Sequence, residues 1–493
     1  MRGWPVATAK VRHGVLHGVH KSGWLVAAVA AVLVLGACSG PAKASASDPS
    51  STAFSGTAST GPVSPAVTVP PMTTSSGGAD PSAPDPGTGG TASSPVDQSG
   101  NANPDDTNAD PPPTTTSADP PTLTISPTPG STTVNPAAPI TAVAAGGTLT
   151  SVTLVNPTEN VQVAGALSAD KTSWQATQPL GYGKSYRLTA TATNDDGQTV
   201  TGTSAFTTLT PHNMTMPYLE YTGRYPLTNG ATYGVGIVPV VHFDEPIADR
   251  AAAQRTLQVT TSPHVDGSWY WSDAQNVHFR PKDYWPAGTK VTISANVYGV
   301  EVGPGLYGQS DVSTSFTIGR RQLTVAEDSA PKVDTVTVYD AAGKAIRTMN
   351  TSMGKHGGVT VDGRYINFYT PNGTYTVLDH KNPQMMSSAS YGLPADAPGG
   401  YAPEPIYYST RISTDGIFLH ELNNTVWAQN HGYDVSHGCL NLNKANAVWF
   451  YNNSLIGDPV VIHGAKGAPQ LQFSEGGEWS VPWSTWLAGS AIR

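Results

Sequence analysis

The sequence is poor in cysteine, because its 493 residues contain only Cys38 and Cys439. Two cysteines exclude a fold held together by several disulfides. A single thiolate near histidines fits no standard zinc pattern, so we predict neither a metal nor a cofactor. Charge is also scarce, with 12% charged residues and a formal net charge of -9. This negative surplus argues against nucleic acid as a partner and against a basic membrane-binding patch.

Long hydrophobic runs are missing too. The longest, from Trp24 to Leu35, has about a dozen residues, whereas a membrane span needs about 20. Several basic residues precede it, and Leu-Gly-Ala-Cys at 35–38 matches a bacterial lipobox. We therefore predict a lipoprotein signal peptide at 1–38, with Cys38 lipidated and the chain held at the outer face of the cell membrane, where it acts in the cell-wall space. An ordinary cleaved signal and an uncleaved anchor are the alternatives.

Residues 39–121 lack the side chains that build a core. The segment has no leucine or isoleucine, its only aromatic residue is Phe54 and its only base is Lys43. A chain of mostly Pro, Ser, Thr, Ala, Gly and Asp cannot bury enough apolar surface to offset the entropy of folding. The composition predicts a disordered tether whose ends lie about 50 Å apart on average. A glycosylated stalk would have the same reach.

Helical periodicity is almost absent from residues 122–319, where short β-rich stretches alternate with turns. The block 122–210 has such stretches at 148–155 and 185–193, and the block 211–319 repeats the style, with 269–279 predicted as one strand. Regularly spaced short strands are typical of β-sandwiches. The sequence therefore predicts two immunoglobulin-like β-sandwich domains. Spacing is their default role, and binding of the cell wall or of a partner is the alternative.

Residues 320–464 are also mainly β but contain one clear helix, predicted at 443–451 with Asn443 as N-cap. The remaining residues, 465–493, include three tryptophans. These could stack on sugars, but large aromatic residues more often pack a terminal segment onto a core. The predicted fold class is thus mainly β: two sandwiches, a mostly-β third domain with one notable helix, and an extension at 465–493 packed on that domain.

The second cysteine lies in the turn His437-Gly438-Cys439. A thiol attacks as thiolate, so it needs a base or a positive environment. His420 ends an apolar strand that could lie beside the thiol, although an ordinary sheet histidine is the alternative. The helix starting near Asn443 offers a positive dipole end. Gly438 lets the backbone bend, so its N–H and that of Cys439 could stabilise an oxyanion. Acyl transfer through a thioester is one reaction that these residues permit.

Several segments resemble the L,D-transpeptidases, whose catalytic domain has the YkuD fold. The heptad S-H-G-C-L-N-L at 436–442 is similar to the family's active-site signature, and I-F-L-H at 417–420 to its catalytic-histidine strand. T-P-N-G at 370–373 resembles its T-P-x-G turn, and S-A-S-Y-G-L-P at 388–394 resembles its lid. The tryptophan-rich tail and the order of domains are similar to actinobacterial members. Glu421 departs from the pattern, since related members carry Ser or Gly there.

This resemblance implies a peptidoglycan L,D-transpeptidase domain at 320–464, under a lid at 381–405. Cys439 would attack the meso-diaminopimelate carbonyl of a donor tetrapeptide stem, His420 would accept the thiol proton, and D-Ala would leave. An amine of a second stem would then take the acyl group, which gives a 3→3 cross-link. Carbapenems would acylate the same thiol. The other implied site residues are His437 and Gly438 in the catalytic turn, and Tyr401, Asp415, Gly416, Ser436 and Asn441 in contact with substrate.

Three rival functions remain open at this stage. An L,D-carboxypeptidase that uses water as acceptor would need the same residues. A catalytically weak lipoprotein that binds the cell wall is a second alternative, and the unusual Glu421 beside His420 keeps it open. A sortase-like enzyme is disfavoured, because it normally has an arginine shortly after the cysteine strand and none occurs between Cys439 and the end of the helix. The sequence leaves the oligomeric state open.

Overall fold

The computed structural model describes residues 119–492. The predicted signal peptide, the lipidation site Cys38 and nearly all of the predicted tether lie outside the described residues. Within 119–492 the chain is built mainly of strands, which confirms the predicted fold class. No helix in this part of the chain is long and apolar enough to cross a membrane.

The first domain is a sandwich of two four-stranded sheets, with strand orders β1-β2-β6-β5 and β4-β3-β7-β8. Side chains of β7 alternate between solvent and core, so that Tyr186, Leu188 and Ala190 are buried with Trp174 of the opposite sheet. The strands are β1 Thr122–Ser126, β2 Thr141–Ala145, β3 Thr148–Asn156, β4 Val161–Val163, β5 Gly165–Leu167, β6 Ser173–Ala176, β7 Ser185–Thr193 and β8 Thr199–Thr207.

The second domain pairs a five-stranded sheet, β11-β10-β13-β16-β15, with a four-stranded one, β12-β20-β17-β14, and adds the small sheet β18-β19-β9. Its elements are β9 Asn213–Thr215, β10 Pro217–Tyr221, β11 Tyr225–Pro226, β12 Thr232–Tyr233, β13 Pro239–Phe243, α1 Arg250–Arg255, β14 Leu257–Ser262, β15 Gly267–Trp271, β16 Asn276–Pro281, β17 Lys290–Ala295, β18 Glu301–Gly303, β19 Leu306–Gly308 and β20 Val312–Ile318.

The prediction of a single strand at 269–279 is wrong, because β15 and β16 form a hairpin across this stretch. Asp273 makes the turn between them. Its Oδ1 accepts hydrogen bonds from the backbone N–H groups of Gln275 at 2.7 Å and Asn276 at 2.8 Å. An aspartate that bonds the backbone two residues ahead is a turn signal that the flanking aromatic and β-branched residues obscured.

The third domain places the five-stranded sheet β23-β22-β21-β33-β26 near the four-stranded sheet β27-β30-β31-β32, with one shared core. Its elements are β21 Leu323–Glu327, β22 Asp334–Tyr339, β23 Ala345–Thr351, β24 Gly358–Val361, β25 Arg364–Asn367, β26 Gly373–Thr376, β27 Asp379–Lys381, β28 Gln384–Met386, a 3-10 helix Ser388–Tyr391, β29 Glu404–Ile406, β30 Ser409–Arg411, β31 Phe418–Glu421, a 3-10 helix Asn423–Thr425, α2 Val426–His431, β32 Leu440–Leu442, α3 Lys444–Asn453 and β33 Pro459–His463.

The predicted helix is present as α3. The side chain of Asn443 accepts a hydrogen bond from the backbone N–H of Asn446 at 3.0 Å, which caps the helix as expected from its residue type. Ala447 and Phe450 face the core, one turn apart. The six-residue helix α2 was not predicted, because so short a segment shows no periodicity.

The C-terminal extension contacts two domains, whereas the sequence predicted contact with the catalytic domain alone. Three 3-10 or α-helical turns form it: Phe473–Glu475, Glu478–Ser480 and α4 Trp483–Ala488. Leu471 enters the core of the third domain, but the Trp486 indole donates a hydrogen bond to the Ser268 carbonyl of the second domain at 2.8 Å.

Arg280 of the second domain explains this placement. Its guanidinium lies 4.7, 5.3 and 4.4 Å from the ring centroids of Trp479, Trp483 and Trp486, and donates to the Val481 carbonyl at 2.7 Å. Cation–π contacts of this kind are favourable when the cation is desolvated. The extension therefore ties the second domain to the third.

Candidate active site

Two short parallel strands bring the predicted catalytic residues together. β31 and β32 pair so that His420 lies opposite Asn441. Cys439 directly precedes the first residue of β32. Side chains two positions apart on a strand share a face, and paired residues of neighbouring strands do as well. The Cys439 thiol and the His420 imidazole therefore lie on one face of the sheet, although 19 positions separate them in the sequence.

His420 is held as a neutral base. It is 5% exposed, and its Nδ1 lies 3.0 Å from the carbonyl oxygen of Glu421. A nitrogen that donates to a carbonyl carries the proton, which leaves Nε2 with a free lone pair. Burial lowers the pKa of His420 to about 4.

The departure at Glu421 leaves this support intact, because the histidine is held by a backbone carbonyl. The Glu421 carboxylate accepts a hydrogen bond from Asn423 Nδ2 at 2.7 Å instead. A residue of any type at this position would present the same carbonyl to His420.

Cys439 is half-buried, and its Sγ lies 3.7 Å from the carbonyl oxygen of Gly416. Burial raises the pKa of the thiol to about 11, and the backbone amide of Phe418 and the charge of Arg411 offset only part of that effect. The predicted help from a helix dipole is wrong. The three residues of β32 separate Cys439 from α3, and at about 3.3 Å per residue the thiol lies well beyond the first helical turn.

The turn His437-Gly438-Cys439, which we call the catalytic turn, is held by two hydroxyl groups. Ser436 Oγ donates to the Cys439 carbonyl at 2.6 Å and accepts from Gly438 N–H at 3.1 Å. Thr370 Oγ1 donates to the Gly438 carbonyl at 2.9 Å and accepts from Gly354 N–H at 3.0 Å. Gly438 has φ +126°, a conformation that favours glycine.

Two sequence-based assignments change as a result. The hydroxyl of Ser436, predicted to contact substrate, is engaged inside the turn. The N–H of Gly438, predicted as an oxyanion donor, points to that hydroxyl. Ser436 and Gly438 therefore shape the turn. Of the two predicted N–H donors, Gly438 and Cys439, only that of Cys439 remains available to a substrate.

A second turn, at residues 413–417, places the carbonyl of Gly416 near the thiol of Cys439. Ser413 Oγ donates to the Asp415 carboxylate and accepts from the N–H of Ile417 at 2.8 Å, which closes the loop between β30 and β31. Gly416, at φ +110°, directs its carbonyl to Cys439. Asp415 acts on this turn through Ser413.

His437 joins the catalytic turn to the predicted lid. Its ring meets Phe368 edge-on at 4.5 Å between centroids, and lies 6.1 Å from Tyr391 and 5.6 Å from Tyr401 of the lid. Burial, followed by the charge of Lys355, lowers the pKa of His437 to about 4, so the ring is neutral. An aromatic contact of this kind orders both the turn and the lid.

These elements enclose a cavity of about 740 Å³. All nine site residues named from the sequence line it: Tyr401, Asp415, Gly416, His420, Ser436, His437, Gly438, Cys439 and Asn441. Asn441 is 1% exposed, and neither atom of its side-chain amide has a hydrogen-bond partner among the described residues. An unpaired buried amide costs about 1–3 kcal/mol, so it marks a position where a ligand can bind.

Sequence reasoning missed the roles of two residues at this site. Thr370 was noted as part of a T-P-N-G motif, but only the fold shows that its hydroxyl holds the catalytic turn. Arg411 lines the cavity and lies 4.4 Å from the Phe418 ring centroid. The signal for Arg411 was present, since it is the only lysine or arginine between Lys381 and Lys444.

Within the described residues, one group has the geometry of a metal site: Asp328, His356 and Asp434. None of the three lines the cavity.

Comparison with protein-family models matches residues 131–301 to a bacterial Ig domain and residues 331–462 to the L,D-transpeptidase catalytic domain, YkuD. L,D-transpeptidase 2 of Mycobacterium tuberculosis is 38% identical over 341 residues, which cover 69% of this chain and 78% of that protein. L,D-transpeptidase 5 of the same species is 35% identical over 347 residues, which cover 69% and 70%.

One solved structure is similar to part of the chain. L,D-transpeptidase 3 of Mycobacterium tuberculosis in complex with a faropenem-derived adduct is 31% identical, with a TM-score of 0.37. The match covers 48% of this chain and 94% of that chain.

Replacement of Thr370 by valine is expected to lower the Tm of the third domain and to slow alkylation of Cys439. The buried Gly354 N–H and Gly438 carbonyl would each lose their partner, at a cost of about 1–3 kcal/mol. Calorimetry and iodoacetamide labelling measure the two effects. Thr370→Ser, which keeps the hydroxyl, should restore both, and Thr360→Val on an exposed strand is the control. Equal effects of Thr370→Val and Thr360→Val would contradict the assigned role.

The alkylation rate of Cys439 should rise about tenfold per pH unit from pH 7 to pH 9, because the thiol has a raised pKa and only the thiolate reacts. The measurement uses iodoacetamide on a Cys38→Ala chain, in which Cys439 is the sole thiol, with Cys439→Ala as the blank. A rate that levels off below pH 7 would indicate a thiolate–imidazolium pair and refute the neutral pair.

Proposed function

The chain belongs to the L,D-transpeptidase family, and from that premise we propose that it cross-links peptidoglycan stem peptides through an acyl-thioester on Cys439. The observation that carries the proposal is the placement of Cys439 and a neutral His420 on one sheet face, at the floor of a single cavity. Nucleophilic acyl transfer needs this pair within reach of one substrate carbonyl.

In the donor step, the thiol attacks the carbonyl of the meso-diaminopimelate residue in a tetrapeptide stem. A C–S bond forms, and His420 Nε2 takes the thiol proton during the attack, because both groups start neutral. The tetrahedral intermediate then collapses, the bond to D-Ala breaks, and the imidazolium returns the proton to the departing amine. Stabilisation of His420 by the Glu421 carbonyl keeps Nε2 as the atom that moves the proton.

Oxyanion stabilisation falls to the Cys439 N–H, the His437 N–H and the Tyr401 hydroxyl. Burial raises the pKa of Tyr401 to about 12, so the hydroxyl keeps its proton and can donate it to developing charge. The N–H of Gly438 is withheld by Ser436.

Substrate recognition is assigned to polar groups of the cavity that lack a protein partner. The Asn441 amide can both donate to and accept from a peptide backbone. Arg411 is half-buried, and its buried Nε has no hydrogen-bond partner among the described residues. A guanidinium beside the thiol suits the carboxylates that stem peptides carry. These contacts are distinct from those that hold the turn.

In the acceptor step, the amine of a second stem attacks the thioester, the C–S bond breaks and the thiol is restored. The lid segment, which meets His437 through Tyr391 and Tyr401, covers the thioester and limits access of water. If water reaches it instead, the reaction becomes L,D-carboxypeptidation. A carbapenem would acylate the same thiol, since attack on the strained lactam carbonyl breaks its C–N bond and leaves a thioester.

We expect one carbapenem adduct per chain in the intact mass of the wild-type protein and none in Cys439→Ala. His420→Ala should slow adduct formation by about 10²–10⁴-fold, the usual range for loss of a general base. His431→Ala, a nearby exposed histidine, is the matched control and should react like the wild type. A folded wild-type chain without an adduct would refute the catalytic assignment and leave a wall-binding protein.

The same variants in a disaccharide-tetrapeptide assay distinguish the acceptors. Cross-linking predicts a dimer that has lost one D-Ala, whereas a trimmed disaccharide-tripeptide alone would show that water is the acceptor. An acylated thiol without either product would support the catalytically weak alternative.

We also propose that the chain is a lipoprotein, held at the outer face of the cell membrane through Cys38, with the two sandwich domains as spacers. The support is the pattern of basic residues, a short apolar run and a lipobox. In cell fractions, the wild-type chain should sediment with membranes and Cys38→Ser should not. A wild-type chain in the soluble fraction would exclude the anchor.

A further inference from the structure

Four titratable side chains meet on the catalytic domain outside the cavity, and we refer to them as the Asp–His cluster: Asp328, Asp334, His356 and Asp434. His356 Nε2 lies 3.1 Å from Asp328 Oδ2 and 3.3 Å from Asp434 Oδ2. The ligand atoms of Asp328, His356 and Asp434 all lie within 4.8 Å of one another. The cluster thus converges on one point from segments up to 106 positions apart in the sequence.

The carboxylates are oriented in advance. Backbone N–H groups bind Oδ1 of Asp328 at 3.4 Å, of Asp334 at 2.6 Å and of Asp434 at 2.6 Å. Oδ2 of Asp328 and of Asp434 is thereby left to face His356. Hydrogen bonds that fix the second oxygen of a carboxylate are the outer-shell arrangement typical of metal ligands.

Burial makes this concentration of acidic groups costly. The side chains of Asp328 and Asp434 are 4% exposed, and Asp334 is fully buried. Oδ2 of Asp334 has no hydrogen-bond partner among the described residues, although its carboxyl group lies against Asp434. No lysine or arginine within 119–492 forms an ion pair with any of the three aspartates. Among the described residues His356 is thus the one basic group that pairs with Asp328 and Asp434, and a cation would be a further partner for these two carboxylates.

We propose that Asp328, His356 and Asp434 bind a zinc ion, with the buried carboxyl group of Asp334 packed against Asp434. Bonds of about 2.1 Å in a tetrahedron place ligand atoms about 3.4 Å apart, close to the 3.1 and 3.3 Å between His356 Nε2 and the two carboxylate oxygens. Imidazole together with carboxylate suits zinc, whereas calcium takes six to eight oxygens and magnesium keeps most of its waters. The His356 side chain is 40% exposed, so solvent can supply a water as fourth ligand.

The proposed ion would stabilise the catalytic turn. Asp434 lies two residues before Ser436, and its carboxylate also holds the N–H of Met353. The next residue, Gly354, is bridged to Ser436 and donates to Thr370. A metal that fixes Asp434 therefore orders residues 353–354 and 434–436, which hold the catalytic turn, without contact to the substrate.

The test is zinc binding to the purified, untagged full chain carrying Cys439→Ala, which removes the cavity thiol as a competing ligand. After dialysis against Zn²⁺, elemental analysis should find one zinc per chain, and titration calorimetry should give a single site. His356→Ala and Asp434→Asn should each weaken zinc binding at least about tenfold. Asp434→Asn keeps an oxygen for Met353 N–H, so the turn remains folded. Zinc should raise the Tm of the parent chain and not that of His356→Ala.

His463→Ala is the matched control, because His463 forms an exposed pair with Glu327 at 4.0 Å and lacks buried carboxylates. It should bind zinc like the parent. Absence of zinc in the Cys439→Ala chain, or an equal loss in His463→Ala and His356→Ala, would overturn the proposal. The cluster would then be a set of carboxyl groups that share protons.

Discussion

The parallel pairing of β31 with β32 is the constraint on which the site depends. It sets His420 opposite Asn441 and brings Cys439 onto the same face, and both strands lie in a four-stranded sheet whose other face belongs to the domain core. A slip of one residue would turn the thiol away from the imidazole, because side chains alternate along a strand. The hydrogen bonds of Ser436 and Thr370 fix the conformation of the turn before β32, but they do not set the register of the two strands.

Burial gives the cavity its electrostatic character. It raises the pKa of Cys439 and of Tyr401 and lowers the pKa of His420 and of His437, so all four side chains are neutral near neutral pH. A neutral thiol in the resting chain is protected from oxidation, since the thiolate is the reactive form. In the proposed reaction, charge then develops only when a substrate carbonyl is present to receive the sulfur, so activation of the thiol depends on substrate binding.

The sequence predicted best what depends on local chemistry. The N-cap Asn443 and the strand Ser185–Thr193 are where their residue types placed them. Contacts between segments that are far apart in the chain could not be predicted from the sequence. The Thr370 hydroxyl, the Asp–His cluster and the Arg280 contact with three indoles each join residues far apart in the chain. Local patterns also failed where two signals competed, as at Asp273, where a turn residue interrupts a stretch that is otherwise typical of a strand.

The position of the C-terminal extension limits which parts of the structure can move. Trp479 donates to the Gly236 carbonyl at 2.7 Å, and Gly236 N–H donates to Gly457 of the third domain at 2.8 Å. A Cβ at Gly234 would lie 2.2 Å from the Asp458 nitrogen, so the backbones of the two domains are in direct contact. A boundary packed this closely behaves like a core and resists small displacements. The predicted lid contacts the catalytic turn through rings packed on His437, and in the proposed reaction it is therefore the element that would open to admit an acceptor.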